Sequence, residues 1–102
     1  MARIETEIEN EYKEELELEE PKLYKVLLLN DDYTSMDFVV MVLMEIFHQD
    51  RQKANDTMYK IHEKGSGLCG VYDYEVAETK VEQVHSLARE HQFPLRATME
   101  EE

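Results

Sequence analysis

KLYKVLLLNDDYTSMDFVVMVLM, residues 22–44, runs from one apolar segment through a cluster of turn formers into a second apolar segment, and the fold follows from that passage. Lys22 to Leu29 has the β-branched and apolar content of a buried strand. NDDYTS, residues 30–35, breaks it, and Thr34 stands three residues ahead of Asp37 in the spacing of a capping box. A helix is therefore expected from Ser35 to about His48. Its sequence from Phe38 to Met44 is apolar without a break, more than one helix face can absorb, so the core or a ligand must cover the rest.

Outward from this segment the punctuation is regular. Asp50 is placed to cap a second helix, Arg51 to Lys64, and Gly65 suits the left-handed backbone that ends helices. Ala54, Met58 and Ile61 fall on its inner face, and His62, one turn beyond Met58, sits at the margin of that stripe. GSGLCGVYDY, residues 65–74, reads as a glycine-punctuated turn followed by a strand from Leu68 to Tyr72. A third helix, Tyr74 to about His91, places Ala77, Val81, Val84 and Ala88 on one stripe. Phe93-Pro94 interrupts it, and LRATM, residues 95–99, forms a last strand before Glu100 to Glu102. The order β-α-α-β-α-β predicts an α+β two-layer sandwich, a three-stranded antiparallel sheet with three helices on one face. Upstream, residues 1–20 hold nine Glu among isolated apolar residues, too charged to bury a core, and read as a flexible acidic extension closed by Pro21. The folded domain is expected over residues 21–102.

At 102 residues there is room for one domain, and a hydrophobic content of 42% supplies an ordinary core. The net charge of −13 is concentrated in the extension, where nine Glu oppose Arg3 and Lys13, a balance of −7 that leaves −6 for the rest. Such a chain is repelled by phosphate, so nucleic acid and anionic membrane surfaces are excluded as partners. The longest apolar run, Phe38 to Met44, is too short to span a bilayer, and no signal-peptide pattern appears. A lone Cys69 excludes an internal disulfide and fits a reducing compartment, so a cytoplasmic location is expected.

Few residues have the pattern of chemistry. Asp31-Asp32 offers hard oxygen ligands, but no further ligand follows in register, and the pair better suits a turn that leads into a helix. His48, His62, His85 and His91 show no zinc spacing with Cys69, and Cys69 lies inside a strand without an orienting group, so it reads as a small core residue. No metal, cofactor or catalytic residue is expected. Met36 and Met58 fit either irregular core space or a surface that accepts several side-chain shapes. His62 is open to two readings, a solvated margin or a ligand contact.

LYKVLLLNDDYTSMDFV (23–39), MYKIH (58–62), LCGV (68–71), EVAETK (75–80) and HQFPL (91–95) together resemble the ClpS family, adaptors of the bacterial N-degron pathway. The resemblance runs in order from about Pro21 to Met99. It implies a protein that performs no chemistry, binds proteins whose first residue is Leu, Phe, Tyr or Trp, and delivers them to the N-terminal domain of the ClpA unfoldase for degradation by ClpP. Carried over by position, Asn30, Asp31 and His62 surround the substrate's α-amino group. Asp32 and Thr34 shape the loop and touch the substrate backbone, and Met36, Val39, Met58, Ile61 and Leu95 line the side-chain pocket. Glu75 and Lys80 are implied as the unfoldase contact, the acidic extension as an aid to delivery, and a monomer as the working unit. An ammonium carries three donors, and Asn oxygen, carboxylate and neutral imidazole are acceptors that match them. Ser35 stands where many ClpS-like chains have proline. Ile61 stands where valine is common, and its extra methylene is expected to narrow the pocket against the widest aromatics. The competing expectation is a protein-protein interaction module of similar fold that does not recognise N-terminal residues.

Overall fold

The computed structural model describes residues 21–102; the acidic extension expected over residues 1–20 lies outside them. Six elements follow in order: β1 (Leu23–Leu29), α1 (Met36–Glu45), α2 (Arg51–Lys64), β2 (Ser66–Asp73), α3 (Tyr74–Glu90) and β3 (Arg96–Glu101). The sheet order is β2-β1-β3 with both pairings antiparallel, so the first strand becomes the central one. This is the expected architecture.

Strand period places Val26 and Leu28 of β1 on the helix-covered face, where both are fully buried. Each such side chain contributes roughly 1.5–3 kcal/mol by leaving water. Leu28 pairs with Gly67 and Ala97 across the two ladders, and Leu27 pairs with Leu68 and Thr98. Between Val26 and Leu27 the register with β2 shifts, because Val26 pairs with Gly70 and Leu27 with Leu68. Cys69 is thus the extra residue of a bulge, and it is turned into the core.

β2 begins at Ser66, two residues before the expected Leu68, so Gly67 belongs to a strand and not to a turn. β3 continues to Glu101 because its pairing with Tyr24 holds the acidic end in the ladder. α1 differs at both ends. Its cap is Ser35, whose Oγ accepts from the Phe38 N–H at 3.1 Å, while the Thr34 hydroxyl is engaged elsewhere. It stops at Glu45 because His48 adopts φ 55° and the Gln49 N–H donates to the Leu43 carbonyl at 3.2 Å, closing the helix end. Phe38, Val39, Val40, Val42 and Leu43 are all buried, so the core covers most of this helix.

α2 begins and ends as its sequence predicts. Asp50 accepts from the Lys53 N–H at 2.8 Å, and Gly65 ends the helix at φ 89°. α3 is capped by Asp73, which accepts from the Val76 N–H at 2.9 Å, and buries Ala77, Val84 and Ala88. Phe93 follows it back over α1, its ring 4.8 Å from that of Phe38. One buried polar chain ties the layers: Thr57 donates to Gln49 Oε1 at 3.0 Å, and Gln49 Nε2 donates to the Cys69 carbonyl at 3.2 Å. Among the described residues no helix is long and apolar enough to cross a membrane.

Candidate functional site

Where β1 ends, α1 starts and α2 finishes, the chain leaves a hollow of about 240 Å³ lined by Asn30, Asp31, Asp32, Thr34, Met36, Val39, Met58, Ile61 and His62. The meeting of these elements has a local cause. The Asn30 N–H donates to the Gly65 carbonyl at 2.9 Å, which ties the exit of β1 to the end of α2 and brings Asn30 beside the turn that carries His62.

The loop that follows is organised by one carboxylate. Asp31 Oδ1 accepts from the Tyr33 and Thr34 N–H groups at 2.8 and 2.7 Å, and Oδ2 accepts from the Thr34 hydroxyl at 2.7 Å. Burial alone would raise the Asp31 carboxyl, but the hydrogen bonds from Thr34 and Tyr33 outweigh it and hold it below its ordinary value. A carboxylate accepts about four hydrogen bonds, so Asp31 retains capacity for roughly one more donor while staying charged. The loop is therefore shaped by Asp31 with Thr34; Asp32, which the resemblance pairs with Thr34 in this role, is exposed. The Asp31-Asp32 pair also gathers no metal set, since no group of three His, Cys, Asp or Glu suited to a metal occurs among the described residues.

Below this polar rim the lining is apolar and graded in depth. Met36 is 46% exposed at the mouth, whereas Val39, Met58 and Ile61 are 7%, 6% and 2% exposed and form the floor. Asn30 and His62 are exposed at the rim. The result is a small amphipathic cup with acceptors around the opening and hydrocarbon beneath.

Of the residues singled out in the sequence, Leu95 does not join this lining. It is 3% exposed and borders a different hollow with Ala88, Arg89 and Phe93, because the turn after α3 delivers it to the seam between α3 and β3. Glu75 and Lys80 stand on α3 away from the cup. Glu75 is exposed, but Lys80 is half-buried: its ammonium donates to the Ile46 carbonyl at 2.6 Å, 5.8 Å from the Tyr72 ring centroid. Cys69 is no nucleophile for His62, because burial pushes its thiol up to about 12. The buried Gln49 and Thr57 that brace α2 against β2 carried no sequence signal, since their pairing joins a residue ahead of α2 to one eight positions on, inside the helix.

A family model described as ATP-dependent Clp protease adaptor protein ClpS matches residues 19–98. A ClpS adapter of Oleidesulfovibrio alaskensis is 61% identical over 87 residues, 85% of this chain and 84% of that protein. One from Wolinella succinogenes is 54% identical over 96 residues, 94% of each chain. Among solved structures, Agrobacterium tumefaciens ClpS2 bound to L-phenylalaninamide superposes with a TM-score of 0.78 at 43% identity, covering 80% of this chain and 99% of that one.

Proposed function

Since this chain belongs to the ClpS family of ATP-dependent Clp protease adaptors, we propose that its cup captures the free N-terminus of proteins beginning with Leu, Phe, Tyr or Trp, for delivery to a ClpA-type unfoldase and degradation by ClpP. Members of this family are adaptors and not enzymes, so the cup binds and does not react. The observation that carries the reading is the meeting, in one hollow of about 240 Å³, of Asn30, Asp31 and His62 at the rim with Met36, Val39, Met58 and Ile61 below. That volume lies under the roughly 300–1,000 Å³ of sites for drug-sized ligands and suits a single side chain.

The chemistry divides between rim and floor. The three N–H donors of an α-ammonium are matched by the Asn30 side-chain oxygen, the remaining capacity of the Asp31 carboxylate and a ring nitrogen of His62. The first side chain passes Met36 and rests on Val39, Met58 and Ile61. Burial of a Leu or Phe contributes roughly 1.5–3 kcal/mol and each hydrogen bond to the charged amine about 1.5–3, against an association cost of several kcal/mol. At the favourable end of these ranges the balance reaches about micromolar affinity, weak enough to let an adaptor release its cargo. The ligand bound to the Agrobacterium relative, L-phenylalaninamide, pairs a free α-amine with an aromatic first side chain, and this supports the assignment.

Fluorescence anisotropy with Leu-first, Phe-first, Met-first and N-acetylated peptides tests the reading. Tight binding is expected only for the free-amine Leu and Phe peptides, and Asn30→Ala or His62→Ala weakens it by about 10-fold or more. Equal binding of all four peptides would instead mean an interaction module that does not read the N-terminus. The reading further assigns the unfoldase contact to α3 through Glu75 and Lys80, delivery to the acidic extension, a monomer as the working unit and the cytoplasm as the location. The lone buried thiol of Cys69 agrees with a reducing compartment.

A further inference from the structure

We infer that Gly67, outside the cup, sets how wide a first side chain the cup accepts, by giving the ethyl arm of Ile61 a place away from the ligand. The inference rests on the N-terminal reading of the cup and adds a specificity-determining residue to it.

Gly67 is buried on the helix-covered face of β2, opposite Leu28. A Cβ at this position would stand 2.6 Å from Ile61 Cγ1 and 3.4 Å from Ile61 Cδ1, with the Thr57 carbonyl oxygen also at 3.4 Å. Cγ1 is the inner carbon of the ethyl arm, so the whole arm, terminal methyl included, lies in the seam between α2 and β2 at the site a side chain would need. Ile61 meanwhile forms part of the cup's floor. The extra carbon that distinguishes it from valine is therefore stored against β2 and does not narrow the cup, contrary to what the sequence alone predicts for this residue.

The Thr57 carbonyl of α2 flanks the same site, and α2 is braced to β2 by the buried bonds from Thr57 to Gln49 and from Gln49 to the Cys69 carbonyl, so the two elements do not part readily to make room. A β-branched side chain on a helix also has few alternative rotamers. A methyl at position 67 must then turn the arm of Ile61 out of the seam, and the open space available to it is the cup. Gly67 acts through Ile61 and touches no ligand, so it is a positioning residue.

The test is a cycle of Gly67→Ala, Ile61→Ala and the double substitution, with Ile61→Val beside it, each titrated by anisotropy with Leu-first, Phe-first and Trp-first peptides. Gly67→Ala is expected to lower the affinity for Trp and Phe relative to Leu by about 10-fold, the effect of roughly one methylene in a tight pocket. Ile61→Val alone is expected to leave these ratios within about two-fold of wild type, because the carbon it removes is not in the cup. In the Ile61→Ala background, which lacks both Cγ1 and Cδ1, Gly67→Ala is expected to change the ratios by less than about two-fold, because no arm is left for it to turn. An unchanged ratio in Gly67→Ala, or its full effect persisting in the Ile61→Ala background, overturns the inference. Should Gly67→Ala fail to fold, Ile61→Val decides alone: a rise of 10-fold in Trp preference would place the ethyl arm in the cup and overturn it. A wild type that binds no free-amine peptide sinks the underlying reading, whereas a wild type that binds but shows unmoved ratios sinks this inference only.

Discussion

Asp31 holds more of the site than any other residue, since three hydrogen bonds from Tyr33 and Thr34 converge on its carboxylate. Its folded carboxyl lies below the ordinary value of 3.8, so on acidification the unfolded chain takes up the proton first. The contribution of the turn is therefore complete above 3.8 and is lost as the pH falls through the lower folded value. Asp31→Ala is expected to lower stability by about 1 kcal/mol near pH 6, in line with the loss of a capping side chain, and by less near pH 3. Urea denaturation at the two values checks this, and an equal deficit at both would remove the role of the charge. Which carboxylate does this was not legible in NDDYTS. Asp31 and Asp32 are equivalent in composition, and only the path of the backbone places Asp31 under the N–H groups of Tyr33 and Thr34. The cap of α1 was read one residue early, at Thr34 in place of Ser35, for the same reason.

Among the elements, α2 was legible at both ends because cap chemistry is local: Asp50 and Gly65 act within one turn. Gly65 at φ 89° has nothing within 4 Å of a built Cβ, so Gly65→Ala tests backbone strain without steric conflict. It is expected to cost about 1 kcal/mol by thermal melting. It also disturbs the carbonyl that receives the Asn30 N–H, so peptide affinity falls with it; unaltered affinity would show that this tie does not position Asn30. The end of α1 and the start of β2 were not legible. His48 takes a left-handed backbone without being glycine, and Gly67 serves a close approach of α2 to β2 that only the tertiary structure reveals. On α3 the two residues assigned to the unfoldase are unequal. Glu75→Ala is expected to impair handover while leaving stability and peptide affinity intact, because Glu75 is exposed. Lys80→Ala also lowers stability by about 1 kcal/mol or more, because it leaves the Ile46 carbonyl without its charged donor. Melting curves beside degradation assays separate the two, and equal melting temperatures would mean that Lys80 is dispensable to packing.

For the whole molecule, the order of elements and the sheet they build were legible from period and punctuation alone, while the pairing order was not. A sequence shows that strands exist but not which of them lies between the others; here β1 takes the centre because it is the most apolar of the three and buries Val26 and Leu28 completely. At this scale capture and delivery separate. If the acidic extension serves delivery, deleting residues 1–18 leaves the affinity for Leu-first peptides unchanged and abolishes degradation of a Leu-first substrate by the unfoldase and protease. Undiminished degradation by the shortened chain would refute that role.

The central position of β1 has a consequence for how the protein is made. Of the described strands, the first to leave the ribosome is the one that needs neighbours on both edges, and its second neighbour, β3, is the last of the described elements to be translated. Until β3 emerges, an apolar strand waits with an unpaired edge, the state in which nascent chains most readily stick to one another or recruit chaperones. A member of a proteolytic pathway is itself, for the length of its own synthesis, the kind of exposed chain that quality control patrols for.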